Sequence, residues 1–310
     1  MMEYIIFGAA LFVLVQTSRW TIDSSIRLSD HFGISKLAFG FVVVAVFVSL
    51  PDLMVGTISA LAGKPALGVG GALGSTVANI CLVIGVATAF RKVKITRKHV
   101  LDSAEMLLLI SLIPLTLLVN TTAHTGEGLI LLSVFLFYVF FVMKEKLPAP
   151  KDEIVRQKDV GKISVTFAIG MMGVLISSHY LVDAAIKIAM QLHIDEGIIG
   201  LTLVSFGTTL PELIINFTAV RRGEVSLAIG EILGSSVMNL TLVLGSVFAF
   251  SKDAIAFSPF ILPVVFIVMA NSMLVYYFIK HGGVGRVQGI IFLSMYVLFL
   301  FLQVAVQIIQ

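Results

Sequence analysis

The sequence predicts an all-α integral membrane protein of ten transmembrane helices, arranged as two inverted five-helix repeats. Three observations predict it. Of 310 residues, 58% are hydrophobic and 13% are Asp, Glu, Lys or Arg, with a mean hydropathy of +1.05. A soluble domain carries roughly a quarter charged residues to cover its core. The apolar residues fall into ten stretches of about the 20 residues that a spanning helix requires. The chain also matches itself when shifted by 160 residues.

The stretches can be taken in order. The first, 2–22, opens MMEYIIFG, with an acid where a secretory leader carries basic residues and no small-residue cleavage site before Trp20, so it reads as a retained helix. The second, 36–63, lies between Lys36 and Lys64 and contains Pro51. The third, 67–90, stops at Arg91 and Lys92; stretches 103–120 and 126–143 flank a polar TTAHT. Residues 144–162 hold ten charges in nineteen positions and two prolines, which reads as a solvated linker. Next come 163–187, then 196–220, which stops at Arg221 and Arg222. The last three, 226–250, 258–279 and 287–308, are separated by SKD and KHGGVGR. The expected organisation is therefore a first repeat over 1–143, a linker over 144–162 and a second repeat over 163–310. The single Cys81, inside an apolar run, offers neither a disulfide framework nor a thiolate metal site.

Charge orients the chain. If odd-numbered connections face one side, that side holds 18 of the 21 basic residues, and only Lys64, Lys187 and Lys252 face the other. The positive-inside rule then puts both termini outside and the 144–162 loop in the cytoplasm, in a multi-pass cell-membrane protein.

The internal match is specific. GFVVVAVFVSLPDL (40–53) aligns with GLTLVSFGTTLPEL (200–213), and GGALGSTVANICLVIG (70–85) with GEILGSSVMNLTLVLG (230–245). Over 40–90 against 200–250, 18 of 51 positions are identical, including Pro51/Pro211, Ser75/Ser235 and Asn79/Asn239, which apolar composition alone does not produce. Five spans per copy is an odd number, so the second copy enters the membrane from the opposite face. Inverted repeats of this kind are an architecture of secondary transporters, with the site at the repeat interface.

Asp52 and Glu212 fall mid-span, each after a proline, with no Lys or Arg at comparable depth. Each charge costs roughly 2.5–3.5 kcal/mol at a helix centre, so a bound cation is a better account than two stranded carboxylates. Each proline opens its helix just upstream, near Phe47 and Val48 in one copy and Gly207 and Thr208 in the other. Unwound backbone at that depth is tolerated where it lines a cavity. Carboxylate, carbonyl and hydroxyl oxygens together suit hard cations such as Ca2+ or Na+. Ser75 and Asn79 share one helical face, as do Ser235 and Asn239, which points the amides toward ligation. For the two serines ligation competes with close packing, because Gly70/Gly74 and Gly230/Gly234 form small-residue motifs. Glu231 lies on the same face as Ser235 and Asn239; it reads either as an interfacial acid near Arg221 and Arg222 or as a vestibule carboxylate. Asn216, Thr218 and Asn271 read as interhelical hydrogen-bonding groups.

The paired LP[DE] and GS-x-x-x-N segments resemble the two alpha-repeats of the calcium/cation antiporter superfamily, most nearly its prokaryotic sodium/calcium exchanger branch. The resemblance implies that Asp52 and Glu212 are shared Ca2+ and Na+ ligands and that Thr208 offers hydroxyl and carbonyl oxygens. It also implies that the Val48 carbonyl contributes, that Ser49 and Thr209 support the kinks, and that Ser75, Asn79, Ser235 and Asn239 complete the sites. In that family helices 1 and 6 form a tilted pair that slides against the core. The chain departs from the pattern at Phe47, Val48 and Ser49, where the family has Gly-Thr-Ser, and at Asp52, where the archaeal-type pattern has Glu.

The expected function is antiport of Ca2+ against Na+, with no cofactor, inorganic cations and membrane lipid as partners, no nucleic acid and no obligatory protein partner. An H+/Ca2+ or other divalent exchanger on the same carboxylates is the alternative. A cation channel fits the inverted repeat poorly. An intramembrane aspartyl protease is disfavoured because its YD and GxGD signatures are absent.

Overall fold

The computed structural model describes residues 2–90, 93–94, 98–120, 122–144, 159–191 and 209–309. The chain is a predominantly helical membrane protein. Its helices are α1 (Met2–Phe32), α2 (Lys36–Val48), α3 (Leu50–Leu61), α4 (Pro65–Val77, continued by Ala78–Val83 and Ile84–Phe90), α5 (Lys98–Ser111) and α6 (Ile113–Asn120). After α7 (Thr125–Lys144) and α8 (Val160–Gln191) come α9 (Leu210–Arg221), α10 (Val225–Met238, continued by Asn239–Val243 and Leu244–Phe250), α11 (Ile261–His281) and α12 (Arg286–Ile309).

Among the described residues eight helices are long and apolar enough to cross a membrane, and nine if the bent pair α2/α3 is one span. Of the expected span 196–220, only α9 is described; residues 145–158 of the linker and residues 192–208, including Thr208, lie outside the described set.

Four core helices carry the repeat. Ser49 and Thr209 adopt the same backbone conformation, φ/ψ of −85°/0° and −91°/0°, and each is followed by a 12-residue helix with proline in its first turn. Those helices end in turns at Gly63 and Gly223, with φ of +74° and +87°, where a side chain would be strained. The helices that follow, α4 and α10, both widen into a π-helical turn at equivalent places, Ala78–Val83 and Asn239–Val243. Such widened turns occur frequently at functional sites.

The glycine motif of the second copy is a packing surface. A Cβ on Gly230 or Gly234 would collide with the carbonyl oxygens of Leu37 and Phe41, so α2 and α10 pack backbone to backbone. At Gly70 the nearest described heavy atom, Phe260 Cε1, is 3.7 Å away, and at Gly74 no described atom lies within 4 Å. The packing role considered for these motifs thus holds in the second copy.

Around this core, α1 and α8 lie against each other along their length. Gly170 and Gly173 fit against Thr21 and Thr17. Thr17, Thr21 and Ser25 donate to carbonyls of their own helix, at 2.8, 3.0 and 2.7 Å, so close packing dominates the seam. Asp23 of α1 pairs with Arg222, the residue that caps α9, next to a 3.0 Å hydrogen bond between the Ser18 and Thr218 hydroxyls. Lys36 and Glu224 form a half-buried ion pair at 2.9 Å. Two short antiparallel pairings tie connections together: Val93–Lys94 with Gly283–Val284, and Thr122–Ala123 with Ile255–Ala256.

Candidate cation site

The proline breaks build the site. Pro51 cannot donate to the carbonyl four residues back and its ring crowds that carbonyl, so α2 stops at Val48 and α3 restarts at an angle of 44°. Asp52 is thereby set in the first turn of α3, and Glu212 in the first turn of α9, where unpaired backbone N–H groups favour negative charge. Both acids are buried, with 8% and 1% of their surfaces exposed. One oxygen of Asp52 and both oxygens of Glu212 have no hydrogen-bond partner among the described residues.

The wall opposite comes from α4 and α10. Asn79 and Asn239 sit in the π-helical turns, with Ser75 and Ser235 one turn earlier, and all four are buried. The Asn79 amide nitrogen donates to the Ser235 hydroxyl at 2.9 Å. Asp52 faces Ser75 from its own copy and Asn239 from the other. The two repeats therefore interlock at these residues. The Asn79 oxygen and both amide atoms of Asn239 have no partner among the described residues. Ser49, Thr209 and Val48 are buried at the breaks. The Phe47 ring, which stands where the resembled family has glycine, turns outward onto Phe167 of α8, with centroids 5.5 Å apart.

Glu231 does not sit at the interface beside Arg221 and Arg222. It is 1% exposed, and its carboxylate accepts from the Asn216 amide, which also donates to the Glu212 carbonyl at 2.8 Å. Arg222 is taken by Asp23, and Arg221 lies over the Phe217 ring. Helical periodicity gave the right face for Glu231 but not its depth, which α9 sets by covering it. The interhelical roles expected for Asn216 and Thr218 are present; Asn271 is buried with neither amide atom partnered among the described residues. Among the described residues no Lys, Arg or His is buried, and no three acidic, His or Cys side chains converge closely enough to hold one ion.

A profile of sodium/calcium exchanger proteins matches residues 2–144 and 162–305. This chain belongs to that family. The exchanger is similar to an uncharacterized membrane protein of Methanocaldococcus jannaschii, 30% identical over 299 residues that cover 94% of this chain and 95% of the other. It is 25% identical to the sodium/calcium exchanger MaX1 of Methanosarcina acetivorans, over 96% of this chain and 97% of that one. A solved structure of the sodium-calcium exchanger NCX_Mj, soaked with Na+ and Sr2+, matches with a TM-score of 0.84 at 28% identity, covering 96% of each chain. This exchanger is thus a multi-pass membrane antiporter acting on inorganic cations, not an enzyme.

Proposed function

We propose that this exchanger moves Ca2+ against Na+ by alternating access at a site shared by Asp52 and Glu212, completed by Ser75, Asn79, Ser235 and Asn239, with Ser49, Thr209, the Val48 carbonyl and Thr208 at the breaks. The observation that carries the reading is the pair of buried acids at repeat-equivalent positions, with unpartnered oxygens and no buried basic residue among the described residues to neutralise them. Two carboxylates balance one Ca2+ or, alternately, monovalent ions. An empty site with stranded charges is costly to close over, which favours exchange over leak.

The reading includes ten spans in two inverted halves, 1–143 and 163–310, joined by the linker 144–162. Parity supports it. Thr122–Ala123 pairs with Ile255–Ala256, so an even number of crossings separates them. Among the described residues α7, α8 and α10 lie between as full-length helices, and the proposed span 196–220 would supply the fourth. The pairing of Val93–Lys94 with Gly283–Val284 requires the same additional crossing. The charge distribution then puts both termini outside and the linker in the cytoplasm. The α1/α8 seam, closely packed with its hydroxyls bonded within their own helices, suits a pair that slides against the core.

In proteoliposomes, Asp52→Ala and Glu212→Ala are expected to abolish Na+-gradient-driven 45Ca2+ uptake; retained uptake in either variant refutes the site. Val48, which lacks the hydroxyl the family pattern carries, favours a second reading in which H+ replaces Na+. Collapsing the Na+ gradient and the pH gradient separately in one vesicle preparation decides between the two.

A further inference from the structure

We propose that Glu231, Asn216 and Ser235 form a second site, for a monovalent alkali cation, beside the Asp52/Glu212 site and present only in the second half of the chain; the inference rests on the cation-exchange reading above.

The repeat itself singles out these positions. Shifted by 160, Asn216 falls on Gly56 and Glu231 on Gly71, so two glycines of the first copy are both polar in the second. They are fifteen positions apart in sequence, yet their side chains touch: the Asn216 amide nitrogen donates to a Glu231 oxygen. The first copy has no counterpart, since Gly71 is exposed and a Cβ at Gly56 would press on Val243 and Val247 at 3.1 Å. The polar pair is an addition to the second half, not a remnant of the common plan.

A purely structural role would leave these groups satisfied, and among the described residues they are not. Asn216 is fully buried and its amide oxygen has no partner among the described residues; the second Glu231 oxygen has none either. The Ser235 hydroxyl interacts with Glu231 and also receives the Asn79 amide. One amide oxygen, one carboxylate oxygen and one hydroxyl, beside a Glu212 whose charge Glu231 feels, make an oxygen-only set suited to a hard cation. Charge counting sets its valence. A Ca2+ ion at Asp52 and Glu212 uses both of their charges, and the remaining carboxylate calls for one positive charge. No three described acidic, His or Cys side chains converge closely enough to hold one ion, so Glu231 is assigned an ion of its own.

The test is equilibrium binding of 22Na+ and, separately, 45Ca2+ to the purified full-length protein in detergent. Glu231→Gln, which preserves side-chain size, is expected to bind about one fewer Na+ per chain and still bind Ca2+. Glu231→Asp restores the charge at shorter reach and is expected to regain the ion with an affinity weakened at least threefold. An unchanged Na+ count and affinity in Glu231→Gln overturns the proposal, as does Na+ binding that is absent from the wild type. Joint loss of Na+ and Ca2+ binding in a monodisperse Glu231→Gln protein overturns it too, by making Glu231 part of the shared site. If the wild type binds Na+ but no Ca2+, the Ca2+-exchange reading fails, while the difference in Na+ count still reads on Glu231 alone.

Discussion

The 2.9 Å hydrogen bond from Asn79 to Ser235 joins the two halves at the centre of the site, and its pseudo-symmetric counterpart between Asn239 and Ser75 is absent: both Asn239 amide atoms are unpartnered among the described residues. Two double-mutant cycles read this asymmetry. A buried neutral hydrogen bond contributes about 0.5–1.5 kcal/mol net. Either single alanine substitution removes the Asn79–Ser235 bond, so the double variant should lose about 1 kcal/mol less than the two singles added together. Ser235 already makes its 3.3 Å bond to the Ile232 carbonyl and its contact with Glu231 in the wild type, so neither offsets the loss of Asn79. For Asn239→Ala with Ser75→Ala there is no shared bond, and additivity within about 0.5 kcal/mol is expected. The assay is the apparent unfolding midpoint of purified protein in chelator without Na+, so that ion ligation does not enter. At about 2–4 °C per kcal/mol the first cycle shows a coupling of about 2–4 °C and the second one near zero. Equal couplings in the two cycles, or additivity in the first, would refute the claim that the halves are joined asymmetrically.

Three further outcomes are expected. Gly234→Val drives a branched side chain into the Phe41 carbonyl and the Ala45 Cβ, 2.9 Å from where its own Cβ would sit, and should cost at least the about 1–3 kcal/mol of overpacking; on size-exclusion chromatography its monodisperse peak is expected to shrink, whereas Gly8→Val, with no described atom within 4 Å, leaves it intact. Gly173→Ala presses its new methyl on Thr17 across the α1/α8 seam, and should slow 45Ca2+ uptake more than it weakens 45Ca2+ binding; Thr17→Ser in the same chain removes one of the crowding methyls and is expected to restore part of the rate. Replacing Lys36 or Glu224 by Ala breaks a half-buried ion pair whose contribution, discounted for solvent screening, is about 0–1 kcal/mol, so the unfolding midpoint should move by no more than about 4 °C and by less in high salt.

Much of this was legible along the chain because its causes are local. A proline removes one donor and crowds one carbonyl wherever it lies in a helix, so the break before Asp52 could be located from Pro51 alone. Glu231 was the harder residue. Its face followed from helical spacing, but spacing left it either an interfacial acid beside Arg221 and Arg222 or a vestibule carboxylate. The repeat alignment held a signal that points inward: Gly56 and Gly71 become polar together in the second copy. The Phe47 ring was also ambiguous, since the residue after a broken turn can aim at the site or away from it, and only the position of Phe167 decides that.

The sequence by itself determined that the chain lives in lipid, that it contains two related halves, and which acids are stranded without a basic partner. These follow from composition, count and the cost of charge in hydrocarbon, none of which depends on which helices touch. Tertiary structure decided what the equivalent motifs do. The same Asn/Ser pair is bonded across the halves on one side only, and an acid four residues before Ser235 became a buried third carboxylate. Helical periodicity fixes the direction of a side chain, but its burial and its partner are properties of the neighbouring helix.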